Sequence, residues 1–168
     1  MFIDETWAST AMARTHGWSL RGERLRMGVP FGHWKTTTFM AGLTTRGLVA
    51  PWVLDGPINR DAFETYVAQV LVPELRVGDT VVMDNLSSHK GPKVQALIAA
   101  TGARLLYLPP YSPDLNPIEM TFAKLKALLR KAQERSVPAL WAAIGNLLDR
   151  FTPAECRNYF QAAGYPAK

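Results

Sequence analysis

The sequence predicts an α/β domain, a parallel or mixed sheet flanked by helices and followed by a helical C-terminal part, and three observations predict it. Between Asn59 and Leu108, segments of helical spacing alternate with short unbroken apolar runs, the pattern of buried strands joined by crossover helices. From Asn116 onward the pattern is helical throughout. The 168 residues are 48% hydrophobic, enough for one real core, and no repeat, low-complexity tract or Gly/Ser-rich linker divides them, so residues 1–168 read as a single domain.

Taken in order, Phe2 to Glu5 reads as a short strand, and Lys35 to Thr44, rich in Thr and Phe, as a second. An apolar run resumes from Val49 to Leu54, which makes Thr44-Thr45-Arg46-Gly47 a hairpin turn. After Asn59, the spacing of Phe63, Val67, Val70 and Leu71 is helical and is expected to stop at Pro73. Asp79 to Asp84, through Thr80-Val81-Val82-Met83, reads as a fully buried strand. A helix from about Pro92 to Thr101 closes at Gly102, and Arg104 to Leu108 forms another buried strand. The C-terminal helical stretch is interrupted at Pro138 and at Thr152-Pro153, where new helices can start.

The balance of 19 Lys and Arg against 14 Asp and Glu, a formal charge of +5, favours polyanionic partners through counterion release, although charge alone leaves nucleic-acid binding at roughly even odds. A single cysteine, Cys156, excludes an internal disulfide, suits a reducing cytosol and reads as a small buried hydrophobe. The first residues lack a basic-then-apolar leader, and no apolar run nears the roughly 18 residues that span a bilayer. A soluble cytoplasmic protein is expected.

Three carboxylates stand out by position. Asp4 is placed at or near the end of the first strand, Asp84 ends the buried strand, and Glu119 lies in the first turn of a helix; strand ends of open sheets are where such folds place their sites. Each has a purely structural alternative. Asp84 with Asn85, Ser87 and Ser88 is good turn chemistry, Asn116-Pro117-Ile118-Glu119 has the pattern of a capping box, and Asp4 or Glu5 can be a solvated strand-end charge. Along the helix from Pro117, Ile118, Phe122, Leu125 and Leu129 form an apolar face beside a stripe of Glu119, Lys126 and Arg130. That stripe can meet DNA phosphates or simply face solvent.

The run Leu108-Pro109-Pro110-Tyr111-Ser112-Pro113-Asp114-Leu115-Asn116-Pro117-Ile118-Glu119 resembles the third-carboxylate motif of the mariner superfamily of DDE transposases, in its bacterial insertion-sequence branch. Val82-Met83-Asp84-Asn85-Leu86-Ser87-Ser88-His89 resembles the second-aspartate motif and Phe2-Ile3-Asp4-Glu5 the first, with 34 residues between Asp84 and Glu119, as in that branch. The likeness extends through Gly17-Trp18-Ser19-Leu20-Arg21-Gly22 to the final Gly164-Tyr165.

The resemblance implies a ribonuclease H-like fold with Asp4, Asp84 and Glu119 as catalytic residues and as ligands of two hard ions, Mg²⁺ or Mn²⁺. It implies hydrolysis at transposon ends followed by attack of the freed 3′-hydroxyl on target DNA. Asn85, His89 and Asn116 are accessory candidates; for Asn85 and His89 helix entry is an equal alternative. Arg21, Arg24, Lys124, Lys126 and Arg130 are candidate DNA contacts, with Arg21 and Arg24 on a basic segment from Trp7 to Met27 that reads either as an arm gripping DNA or a second subunit or as an ordinary excursion. Pro109, Pro110, Pro113 and Pro117 stiffen the loop that presents Glu119. Relatives work as homodimers and carry helix-turn-helix domains ahead of the catalytic part. The expectation is therefore a nucleoid-associated catalytic core lacking that domain, which would be encoded separately or joined by frameshifting. The rival readings are a ribonuclease H-like nuclease without strand transfer and an inactive DNA-binding remnant.

Overall fold

A computed structural model describes residues 1–166, with only the backbone described at Ser87 and Ser88. Strands β1 (Phe2–Ser9), β2 (Thr36–Thr44) and β3 (Gly47–Asp55) form an antiparallel meander. Helix α1 (Arg60–Tyr66) leads to β4 (Thr80–Met83), α2 (Pro92–Ala100) to β5 (Arg104–Tyr107), and α3 (Ile118–Ala132), α4 (Val137–Leu147) and α5 (Pro153–Ala162) complete the chain. The sheet order is β3-β2-β1-β4-β5, with β4 parallel to both β1 and β5, so the sheet is mixed.

Helices cover both faces, and the alternation of side chains along each strand divides the core in two. On one face Phe2, Ala8, Phe39, Ala41 and Leu43 pack against α3, α4 and α5. On the other, Ile3, Met40, Val81 and Met83 pack against α1 and α2. The predicted apolar face of α3 is what docks it: Ile118, Phe122, Leu125 and Leu129 are all buried, and Phe122 meets Phe39 edge to face at 6.1 Å. At Gly42, the register partner of Ile3 on β1, a Cβ would stand 2.7 Å from Ile3 Cδ1 and 3.0 Å from Val49 Cγ2, so those side chains would have to shift to admit one.

The helix starts follow capping chemistry. Asn59, Ser136 and Thr152 each accept a backbone N–H, from Ala62, Ala139 and Glu155 respectively. The helical run after α1 ends at Glu74, one residue past Pro73, because the proline sits early in a final 3-10 turn where its missing N–H is not needed. Cys156 is buried, and burial pushes its thiol pKa up.

The first strand differs from its predicted extent. It runs through Ser9, well past Glu5, because β2 pairs with it along all eight residues, from Phe2 opposite Leu43 to Ser9 opposite Thr36. Its parallel pairing with β4 covers only Phe2 with Val82 and Ile3 with Met83. Asp4 therefore lies inside the strand, yet it is the first residue beyond the parallel ladder.

Between β1 and β2 the chain leaves the body as an arm. Its base is pinned by the Thr10 N–H donating to Lys35 O at 3.1 Å, and by the Arg135 guanidinium donating to Thr10 O and Met12 O at 3.1 and 2.8 Å. Residues 14–29 are all exposed. Among the described residues, no helix is long and apolar enough to cross a membrane.

Candidate active site

The register of the parallel pair places the first two carboxylates side by side. Ile3 and Met83 are the last parallel rung, so Asp4 and Asp84 are the next residues on neighbouring strands. Helix α3 packs its apolar face on the same side of the sheet as Phe2 and Val82 and carries Glu119 in its first turn. Asp4, Asp84 and Glu119 thus come from three elements to one cleft of about 610 Å³, also lined by Glu5, Asn85 and the proline-rich loop from Leu108 to Pro113. Tyr111, at the tip of that loop, is fully exposed and holds a left-handed backbone at φ 56°.

Asp4 is the buried member, 6% exposed. Its Oδ1 accepts the Glu5 N–H and its Oδ2 accepts the Asn116 side-chain Nδ2–H, each at 2.7 Å. Burial, reinforced by the negative charges of Glu5, Asp84 and Glu119 and opposed by the Glu5 amide, raises its pKa to about 7. The sign of the stability effect follows. A carboxyl whose folded pKa lies above its unfolded value of 3.8 favours folding most at low pH, and that contribution is lost as pH climbs from about 4 to 7. In EDTA, the unfolding free energy from urea titration is expected to fall between pH 5 and pH 7 by up to about 2.5 kcal/mol through Asp4. The fall should shrink in Asp4→Asn; an equal fall in both proteins would remove Asp4 as its cause.

The structural alternatives resolve differently at the other two carboxylates. Asp84 does act as a turn residue, its Oδ1 accepting the Leu86 N–H at 3.2 Å, and it also opens on the cleft. The capping box at Glu119 is not formed. Asn116 is turned away to Asp4, α3 has no side-chain cap, and only the backbone bond from Glu119 N–H to Asn116 O, 3.2 Å, remains. Asn116 is 4% exposed and its Oδ1 has no protein partner.

His89 stands behind Asp84, fully buried. Nε2 lies 3.0 Å from Glu5 Oε2, and Nδ1 lies 2.5 Å from Asp84 Oδ1, close in distance though outside hydrogen-bond alignment. Burial works against a charged ring, but contact with Asp84 and Glu5 outweighs it and raises the pKa to about 9. Of the remaining candidates, Asn85 lines the cleft. Lys126 sits 4.8 Å above the Trp7 ring; burial lowers its pKa while Glu119 and Asp4 pull it back up. Arg130 and Lys131 line a groove of about 900 Å³ whose other wall is Arg14, His16 and Trp18 of the arm. Arg21 and Arg24 are exposed on that arm. Lys124 is drawn elsewhere, donating to Glu155 Oε2 at 2.6 Å and to Arg150 O at 2.8 Å.

Glu5 and Trp7 were not singled out as site residues by sequence. The available signal for Glu5 was strand alternation, which turns it to the face opposite Asp4, where a carboxylate needs a cation. In donor chemistry the carboxylates suit a hard divalent ion, and the upward push of Asp84 and Glu119 on Asp4 is the repulsion such an ion would relieve. They share one cleft, but among the described residues no group of three His, Cys, Asp or Glu is arranged to hold a single ion.

The sequence model of a family described as DDE superfamily endonuclease matches residues 1–140. Among solved structures, the chain resembles the Mos1 mariner paired-end complex with Mn at a TM-score of 0.74 and 18% identity, over 96% of this chain and 50% of that one. The Mos1 strand transfer complex gives 0.70 at 19% identity, over 96% and 49%. The catalytic domain of Mos1 mariner transposase gives 0.62 at 13% identity, over 99% and 83%. The chain thus spans about half the length of the first two. At such identities the likeness is one of fold, and the mixed five-stranded sheet with flanking helices is the ribonuclease H-like fold. No curated protein sequence matches the chain.

Proposed function

The chain belongs to the family of DDE superfamily endonucleases, and from that premise we propose that it is the catalytic core of a DNA transposase of the mariner superfamily's bacterial insertion-sequence branch, which cleaves transposon ends and joins their 3′-hydroxyls to target DNA. The observation that carries the reading is the convergence of Asp4, Asp84 and Glu119, from two neighbouring strands and a helix, on one cleft in which burial, reinforced by the nearby carboxylates, raises the Asp4 pKa. Two Mg²⁺ or Mn²⁺ ions held by these three carboxylates would activate the attacking oxygen and stabilise the leaving one.

The chain's own residues do the rest by positioning. The sheet and Asn116 fix Asp4, the proline-rich loop and the apolar face of α3 fix Glu119, and Asn85, which lines the cleft, would position a phosphate oxygen. Lys126 and Arg130 continue from Glu119 along α3 as a phosphate track, and the arm adds Arg21 and Arg24. Lys124, already bound to Glu155, is left out of that track. Exposed Trp18, Leu20, Val29 and Phe31 on the arm support a homodimer in which the arm reaches a second copy.

The test supplies the chain with a pre-cut DNA end bearing a free 3′-hydroxyl, a target plasmid and Mg²⁺ or Mn²⁺. Joined product is expected. Cleavage of DNA without joining would reduce the protein to a nuclease, and DNA binding without either reaction would leave only a remnant.

A further inference from the structure

The feature that the three-carboxylate reading does not use is the buried imidazole of His89, held between Glu5 on β1 and Asp84 after β4. We infer that Glu5 and His89 form a carboxylate–histidine bridge that orients Asp84, fixing its Oδ1 so that its other oxygen is presented to the cleft. The inference rests on the reading of Asp84 as a metal ligand.

The geometry is specific. Each ring nitrogen faces one carboxylate, Nε2 toward Glu5 at 3.0 Å and Nδ1 toward Asp84 at 2.5 Å, so the ring links two residues 79 positions apart on neighbouring strands. The ring cannot swing away. Phe63 stacks on it at 4.2 Å between centroids, tilted by 27°, and the Tyr107 hydroxyl donates to the His89 carbonyl at 3.0 Å. Asp84 Oδ1 is further held by the Leu86 N–H. Glu5, by contrast, faces away from Asp4 on the strand and spends its carboxylate on His89. Outer contacts of this kind set the direction of a ligating oxygen, and losing one typically costs about 10–100-fold in metal affinity.

Mn²⁺ binding to the intact chain, read by calorimetry, tests the bridge with Asp84→Asn, Glu5→Gln and His89→Gln. Expected are loss of binding in Asp84→Asn and affinity weakened about 10–100-fold in the other two, with unchanged stoichiometry. In cleavage assays the Mg²⁺ concentration for half-maximal rate should rise by a similar factor, while the rate at saturating metal stays within a few-fold of wild type. A merely structural histidine would not produce that split. If Asp84→Asn binds metal normally, the underlying site assignment fails. If Asp84→Asn loses binding but Glu5→Gln keeps it, the bridge alone is overturned, and this variant decides should His89→Gln not fold. Fewer ions bound by Glu5→Gln would make Glu5 a ligand itself and equally overturn the bridge.

Discussion

Asp84→Asn is expected to slow phosphodiester cleavage in Mg²⁺ by about 10³-fold or more while leaving the circular dichroism spectrum unchanged. A metal ion's stabilisation of developing charge amounts to several kcal/mol, and each 1.36 kcal/mol is tenfold in rate. The amide keeps the shape and an oxygen able to accept the Leu86 N–H, so the local turn survives, but it loses the charge that a hard cation requires. The side chain is 30% exposed, which limits any cost of the change to the fold. Wild-type cleavage by this variant would take Asp84 out of the mechanism, and a collapsed spectrum would mean that its turn role dominates.

Phe122→Ala should be the most damaging single truncation near the site. Phe122 is 1% exposed, touches Phe39 across the sheet interface and lies one turn after Glu119. Truncating a buried phenylalanine costs about 3–5 kcal/mol, which for a domain of this size lowers the melting temperature by roughly 6–20 °C. Cleavage should fall as well at temperatures where the variant is still folded, because the cavity lies beneath the turn that carries Glu119. A variant with wild-type stability would show that α3 is held by its other four buried residues; a destabilised variant with undiminished cleavage would separate Glu119's placement from this packing.

These two positions also mark what sequence could and could not reveal. The periodicity of Ile118, Phe122, Leu125 and Leu129 is local, so the docking face of α3 was legible, as were the turn at residues 44–47 and the strand before Asp84, although that strand is half-buried rather than fully buried. The extent of β1 was not, because its continuation past Glu5 is decided by pairing with β2, more than two dozen residues away. Asn116 had the local signature of a cap, and a partner 112 positions earlier took its side chain instead. Lys124 was a candidate DNA contact by sequence, and Glu155, 31 residues on, takes its ammonium instead. In each case the deciding partner is distant in sequence, and residue spacing carries no information about it.

The arm of residues 10–35 and the last parallel rung at Ile3 and Met83 bear very different tolerances to change in length. A one-residue slip in β1 would turn Asp4 to the opposite face of the sheet, so the strand's length is effectively quantised. The arm begins and ends on paired strands clamped by Thr10, Lys35 and Arg135, and doubling a flexible loop costs only about 0.6 kcal/mol in closure entropy. Growth or trimming of the protein's reach can therefore be absorbed there without disturbing the spacing of the carboxylates, which makes the arm the natural place to graft new DNA or partner contacts onto an unaltered chemical centre.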